Sequence, residues 1–106
     1  MTDIPELAGF QRKYLRQKAH ALRPVVEVGE AGISEAVVRA LTAALYDHEL
    51  VKVRLRKPED KREAAKKLSE ATGAALCGLV GHTVILYRPD PEDPQIEIPT
   101  RPTEEH

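Results

Sequence analysis

Residues 50–57, Leu-Val-Lys-Val-Arg-Leu-Arg-Lys, alternate strictly between apolar and cationic side chains over most of their length. A two-residue period is that of a β-strand, with Val51, Val53 and Leu55 on one face and Lys52, Arg54 and Arg56 on the other. Such a strand predicts a sheet covered on one side and open on the other, which points to a two-layer architecture.

The cover has to come from helices. Leu7, Phe10, Tyr14, Leu15, Ala19 and Leu22 recur at helical spacing and predict a helix over 6–22, ended by Arg23-Pro24. Ser34 is a natural N-cap for a second helix running to about His48, and Glu35 suits its first turn. A third helix spans about Asp60 to Thr72, with Gly73 as C-cap. The apolar runs 25–28, 75–80 and 82–88 supply three more strands, and Gly81-His82 predicts a tight hairpin between the last two. The order is α-β-α-β-α-β-β. Strands joined through helices run parallel by right-handed crossovers, and the final pair is antiparallel. The sequence therefore predicts an α/β two-layer sandwich, with a mixed four-stranded sheet and all helices on one face.

The chain has 106 residues and a net charge of −1, but the charge is unevenly placed. Residues 1–88 carry a net +4 and residues 89–106 a net −5, with five of the eight prolines in that last stretch. One domain over residues 1–89 is expected, followed by an acidic, Pro-rich tail, 90–106, that is extended or disordered. No apolar run reaches bilayer length and the start resembles no signal peptide, so a soluble cytoplasmic protein with no membrane partner is expected. The lone Cys77 excludes an internal disulfide framework.

Catalytic chemistry finds little support. His20, His48, His82 and His106 lack the spacing of a metal pair, so no metal site is expected. Cys77 sits in an apolar strand with nothing nearby to activate it, and Ser34 is committed as a cap. Two Gly-x-x-Gly sequences occur. Gly78-Leu79-Val80-Gly81 is apolar and reads as a bulge and turn. Gly29-Glu30-Ala31-Gly32 joins a strand to a helix, where glycine lets a ligand approach the backbone and the helix start offers N–H groups to a phosphate. It is neither GxGxxG nor a Walker sequence and no Lys follows, so neither nucleotide binding nor a small-molecule cofactor is expected. Lys52, Arg54 and Arg56 read either as a solvated sheet face or as a surface for a polyanion that relieves their mutual repulsion. Arg12, Lys13, Arg16 and Lys18 extend the same choice to the first helix. The residues alone leave both readings open.

The blocks Leu15-Arg16-Gln17-Lys18-Ala19-His20-Ala21-Leu22-Arg23-Pro24-Val25-Val26, Val28 through Ser34, His48-Glu49-Leu50-Val51-Lys52-Val53 and Gly81 through Pro89 occur in an order that resembles the CRM domain. This is the chloroplast RNA splicing and ribosome maturation family, here similar to its stand-alone bacterial YhbY-like form. Ile96-Glu97-Ile98-Pro99 is similar to the short tail motif of that form. The resemblance implies a fold like the C-terminal domain of translation initiation factor three, and RNA binding without enzymatic activity. It also implies association with rRNA of the precursor large ribosomal subunit. It places the RNA contact on Gly29, Glu30, Ala31 and Gly32. The basic residues expected beside them are Arg16, Lys18, Arg23, Lys52, Arg54, Arg56 and Arg88. Glu30 departs from what suits a phosphate. The alternative is a protein-interaction module that uses the acidic tail or the sheet face without touching RNA.

Overall fold

A computed structural model describes residues 4–101. Three helices, α1 (Gly9–Ala19), α2 (Glu35–His48) and α3 (Lys61–Thr72), alternate with strands β1 (Val26–Val28), β2 (Leu50–Leu55), β3 (Ala75–Val80) and β4 (Thr83–Tyr87). The sheet order is β1-β2-β4-β3. β1 and β2 run parallel, whereas β4 is antiparallel to both β2 and β3.

The punctuation residues act as their chemistry predicts. The Ser34 hydroxyl accepts from the Val37 N–H at 3.2 Å, and the Asp60 carboxylate accepts from the N–H groups of Arg62 and Glu63. Gly73 closes α3 in the left-handed region, and Gly81 opens the β3–β4 turn at φ +61°. The β3–β4 register shifts between Leu76 and Gly78, the bulge expected of the second Gly-x-x-Gly.

The helices do not share one face. Leu41, Leu45, Ala65 and Leu68 from α2 and α3 pack with Val51, Val53, Leu55, Val84 and Leu86 on one side of the sheet. Leu15 and Ala19 of α1 pack with Leu50, Cys77, Ile85 and Tyr87 on the other. The predicted arrangement of all helices on one face is thus corrected. The reason lies in β4, where Val84 and Leu86 face one way and Ile85 and Tyr87 the other. A central strand apolar on both sides needs two covers. Only the β1–β2 half of the second face stays open.

Gly78 is what allows α1 to come close. A Cβ built there would lie 2.5 Å from Cδ of Arg16. Across that gap Arg16 Nη1 donates to the Cys77 carbonyl at 2.9 Å.

Residues 90–101 form no helix or strand, yet they are held. Glu49 is only 3 % exposed and sits between α2 and β2 at φ +66°. Its carboxylate accepts from the backbone N–H groups of Asp90, Gln95 and Ile96 at 2.8–3.1 Å. Gln11 Nε2 donates to the Pro99 carbonyl, and Ile96 and Ile98 pack into the α1 core. The predicted extended or disordered stretch is, as far as Arg101, a strap laid beside α1; residues 102–106 lie outside the described part.

Two expected outcomes follow. Removing residues 90–106 strands the Glu49 carboxylate in a buried site, and Glu49→Ala strands the strap amides. Each change lowers unfolding free energy by about 2–4 kcal/mol in a urea titration. The two losses are strongly non-additive, because they break the same bonds.

The second outcome concerns alkaline pH. Burial pushes the Cys77 thiol from 9.0 up to about 12, against the opposing pull of Arg12 and Arg16. Burial, then the Glu49 carboxylate, pushes the Tyr87 hydroxyl from 10.0 to about 12. Both groups hold their protons more tightly when folded, so their contribution is complete below pH 9 and is lost as pH rises towards 12. Melting temperature should fall over that window, and less steeply in Cys77→Ala.

Candidate nucleic-acid interface

α1 lies over β3, β4 and the start of β2, so the face is left open at Arg54, with Lys52 at its margin. Arg54 is exposed and pairs across the parallel register with Glu27, which shares its face and offsets part of its charge. Lys52 is half-buried, and its Nζ donates to the Leu22 carbonyl at 3.0 Å. The Val25 N–H donates in turn to the Lys52 carbonyl. These two bonds dock the α1–β1 connection, with exposed Arg23, alongside β2.

At the other end of β2 the Arg56 N–H donates to the Val28 carbonyl, one residue before the glycine loop. Exposed Arg56 therefore adjoins Gly29, Glu30, Ala31 and Gly32. The loop is closed by Gly32 N–H to Gly29 C=O at 3.0 Å. Gly32 holds φ +82°, which only glycine adopts readily, so that glycine is needed by the fold. Gly29 has no positive φ, and a Cβ there would meet nothing within 4 Å. Nothing inside the protein demands glycine at that position, and its backbone is open to a molecule from outside. The adjacent α2 start supplies the positive end of a helix dipole.

The structure thus brings Arg23, Lys52, Arg54, Arg56 and the loop Gly29–Gly32 onto one ridge along the β1–β2 edge. It does not bring Arg88 there. Arg88 follows β4, and its N–H donates to the Glu49 carbonyl at the start of β2. That is the opposite end of the strand, six residues from Leu55, the partner of Val28, and so about 20 Å from the loop at ~3.3 Å per residue. Arg16 spends its guanidinium on Cys77, and Lys18 is exposed on the last turn of α1.

Sequence reasoning missed two neighbours. Lys57 extends the ridge beyond Arg56 and is held at φ +49°. His82 reaches it through the bond from Leu55 N–H to the His82 carbonyl. Lys57 carried a signal in its charge but none in its conformation. His82 became a neighbour only through the pairing of β2 with β4.

Among the described residues, no group of three or more His, Cys, Asp or Glu side chains could hold a metal ion. No helix of the described part is long and apolar enough to cross a membrane.

The ridge's fold-building role and its open role are separable by stability. Gly32→Ala should cost about 1 kcal/mol or more, whereas Gly29→Ala should stay within about 0.5 kcal/mol of the parent, read by chemical denaturation.

Comparison with known proteins places this architecture. The model of the CRS1 / YhbY (CRM) domain matches residues 7–88. The Probable RNA-binding protein YqeI of Bacillus subtilis is 36% identical over 95 residues, covering 88% of this chain and 99% of that protein. An RNA-binding protein of Haemophilus influenzae is 36% identical over 97 residues, covering 90% of this chain and 97% of that one. The solution structure of a hypothetical Staphylococcus aureus protein superposes with a TM-score of 0.78 at 36% identity, covering 89% of this chain and all of that one. With a family model matched over most of its length and relatives of the same size, this chain belongs to the CRS1 / YhbY (CRM) domain family.

Proposed function

We propose that this protein is a non-enzymatic RNA-binding factor of ribosome assembly, acting in the cytoplasm on rRNA of the precursor large subunit. The observation that carries the reading is the ridge itself. Arg23, Lys52, Arg54 and Arg56 line a sheet edge that leads into a loop where nothing lies within 4 Å of a Cβ placed on exposed Gly29. Names of the bacterial relatives support RNA as the ligand class.

The chemistry of the ridge suits phosphate and shape rather than base identity. Cations at strand spacing neutralise successive phosphates. Phe10 and Tyr14 are half-buried, Tyr87 is buried and Tyr46 stands on the outer face of α2, so the ridge offers no Phe or Tyr ring for stacking and only the His82 imidazole beside it. Glu30 points the same way: a carboxylate in the loop disfavours direct phosphate contact by its own side chain, and leaves the contact to the Gly29 and Ala31 backbone. Arg16 acts by holding α1 on the sheet, and Arg88 and Lys18 lie outside the ridge proper.

With about four phosphates neutralised, log affinity should fall with log salt at a slope near −3. Arg54→Glu combined with Arg56→Glu should reduce that slope and weaken rRNA binding about tenfold or more, with the melt retained because both side chains are exposed. Gly29→Ala should weaken binding without loss of stability. In cell lysate the protein should sediment in sucrose gradients with immature large-subunit particles and not with mature ones. A flat salt dependence would remove the electrostatic reading, and sedimentation only as free protein at low salt would remove the assembly reading.

A further inference from the structure

The ridge uses one side of the loop Gly29–Gly32. On the other side, α2 and α3 start together where β1 and β2 end, and they leave a trough of about 1640 Å³ between their outer faces. Val38, Thr42 and Tyr46 of α2 and Ala64, Lys67 and Ala71 of α3 line it at helical spacing. Its length from Glu35 to Tyr46 is about 16 Å, three helical turns. A volume well above the roughly 300–1,000 Å³ of small-ligand pockets, in an open trough of that length, fits a peptide segment better than a metabolite.

Its charge is the reverse of the ridge. Glu30, Glu35, Asp47, Glu59, Asp60 and Glu63 line it against four cations, Arg39, Arg56, Lys57 and Lys67. Five of the six carboxylates lie towards the end nearest the loop, with Arg56 and Lys57 among them, and Asp47 stands beside Tyr46 at the other. The floor is small and apolar, with Ala43, Ala64 and Ala71 open to close approach. At the far end stands Tyr46, 77 % exposed, a large side chain with no cover of its own.

We propose that the α2–α3 trough is a docking site for a basic amphipathic helical segment of a partner protein. Apolar side chains at i, i+3, i+4 and i+7 of that segment lie on the alanine floor and against Tyr46, and its Lys and Arg residues face the carboxylates at the loop end. The excess of carboxylates over cations favours a basic occupant over an acidic one. The trough lies across the sheet from Lys52 and Arg54 and shares only the loop Gly29–Gly32, Arg56 and Lys57 with the ridge, so the two surfaces meet at the loop and diverge beyond it. The proposal does not rest on the RNA reading.

The test uses backbone amide NMR of the full chain. The probe is a synthetic 14-residue amphipathic helix of Leu and Lys, compared with the same composition in scrambled order. The amphipathic peptide should move amides of residues 35–46 and 60–71. Ala43→Arg combined with Ala71→Arg, both at exposed positions, should weaken its binding about tenfold and leave the melt unchanged. If the double variant melts early, Glu63→Lys carries the same expectation of several-fold weakening. Absence of binding, equal binding by the scrambled peptide, or shifts confined to the acidic strap 90–97 would overturn the proposal. So would an RNA hairpin that moves the α2 and α3 amides in the peptide's place. Shifts at residues 52–54, which do not line the trough, report on the ridge separately with that hairpin, so either reading can fail alone.

Discussion

β4 is the strand on which the molecule depends. It is central, paired with both β2 and β3, and every side chain from Val84 to Tyr87 is buried. Burying four such residues in succession requires apolar cover on both sides of the sheet. α2 and α3 provide one layer and α1 with Ile96 and Ile98 the other. α1 is too short, and too far towards β3, to reach β1. The open half-face that carries Arg54 is what remains once the demands of β4 are met. The proposed RNA contact occupies the part of the sheet that the core leaves uncovered.

Glu49 extends the same logic to the end of the chain. A carboxylate taken out of water needs several donors. The donors here are main-chain amides of the strap, which in turn brings Ile96 and Ile98 against the core cluster that α1 forms with the sheet. The folded unit therefore runs past the end of the family match at residue 88, and the segment that looks most like a free tail contributes to the second core. Its acidic side chains stay at the surface, while the backbone does the holding.

Much of this is legible in the residues. The alternation in β2, the caps at Ser34, Asp60 and Gly73, and the turn at Gly81 are local signals, and local chemistry decided them. The helix–strand order and parallel crossovers led to the right mixed sheet. What stayed hidden depends on tertiary pairing. The continuous apolar run 84–87 holds the hint that α1 crosses to the second face, but β2 alone suggests one cover. Composition made 90–101 look unfolded, because no sequence rule reveals that a distant glutamate collects its amides. Arg16 looked like one more surface cation until Gly78 gave it room to reach Cys77. At the candidate site, the pairing of β1 with β2 sets Arg56 beside Gly29, and that adjacency gathers separate charges into the one ridge proposed to contact RNA.

The central claim is that RNA lies along the β1–β2 edge and over the Gly29 loop. Ultraviolet cross-linking of the protein to precursor large-subunit rRNA, with the cross-linked peptides mapped by mass spectrometry, tests it most directly. The account predicts cross-links in residues 22–32 and 52–57 and none on the outer faces of α2 and α3. Cross-links concentrated on α2 and α3, with residues 52–57 untouched, would contradict it.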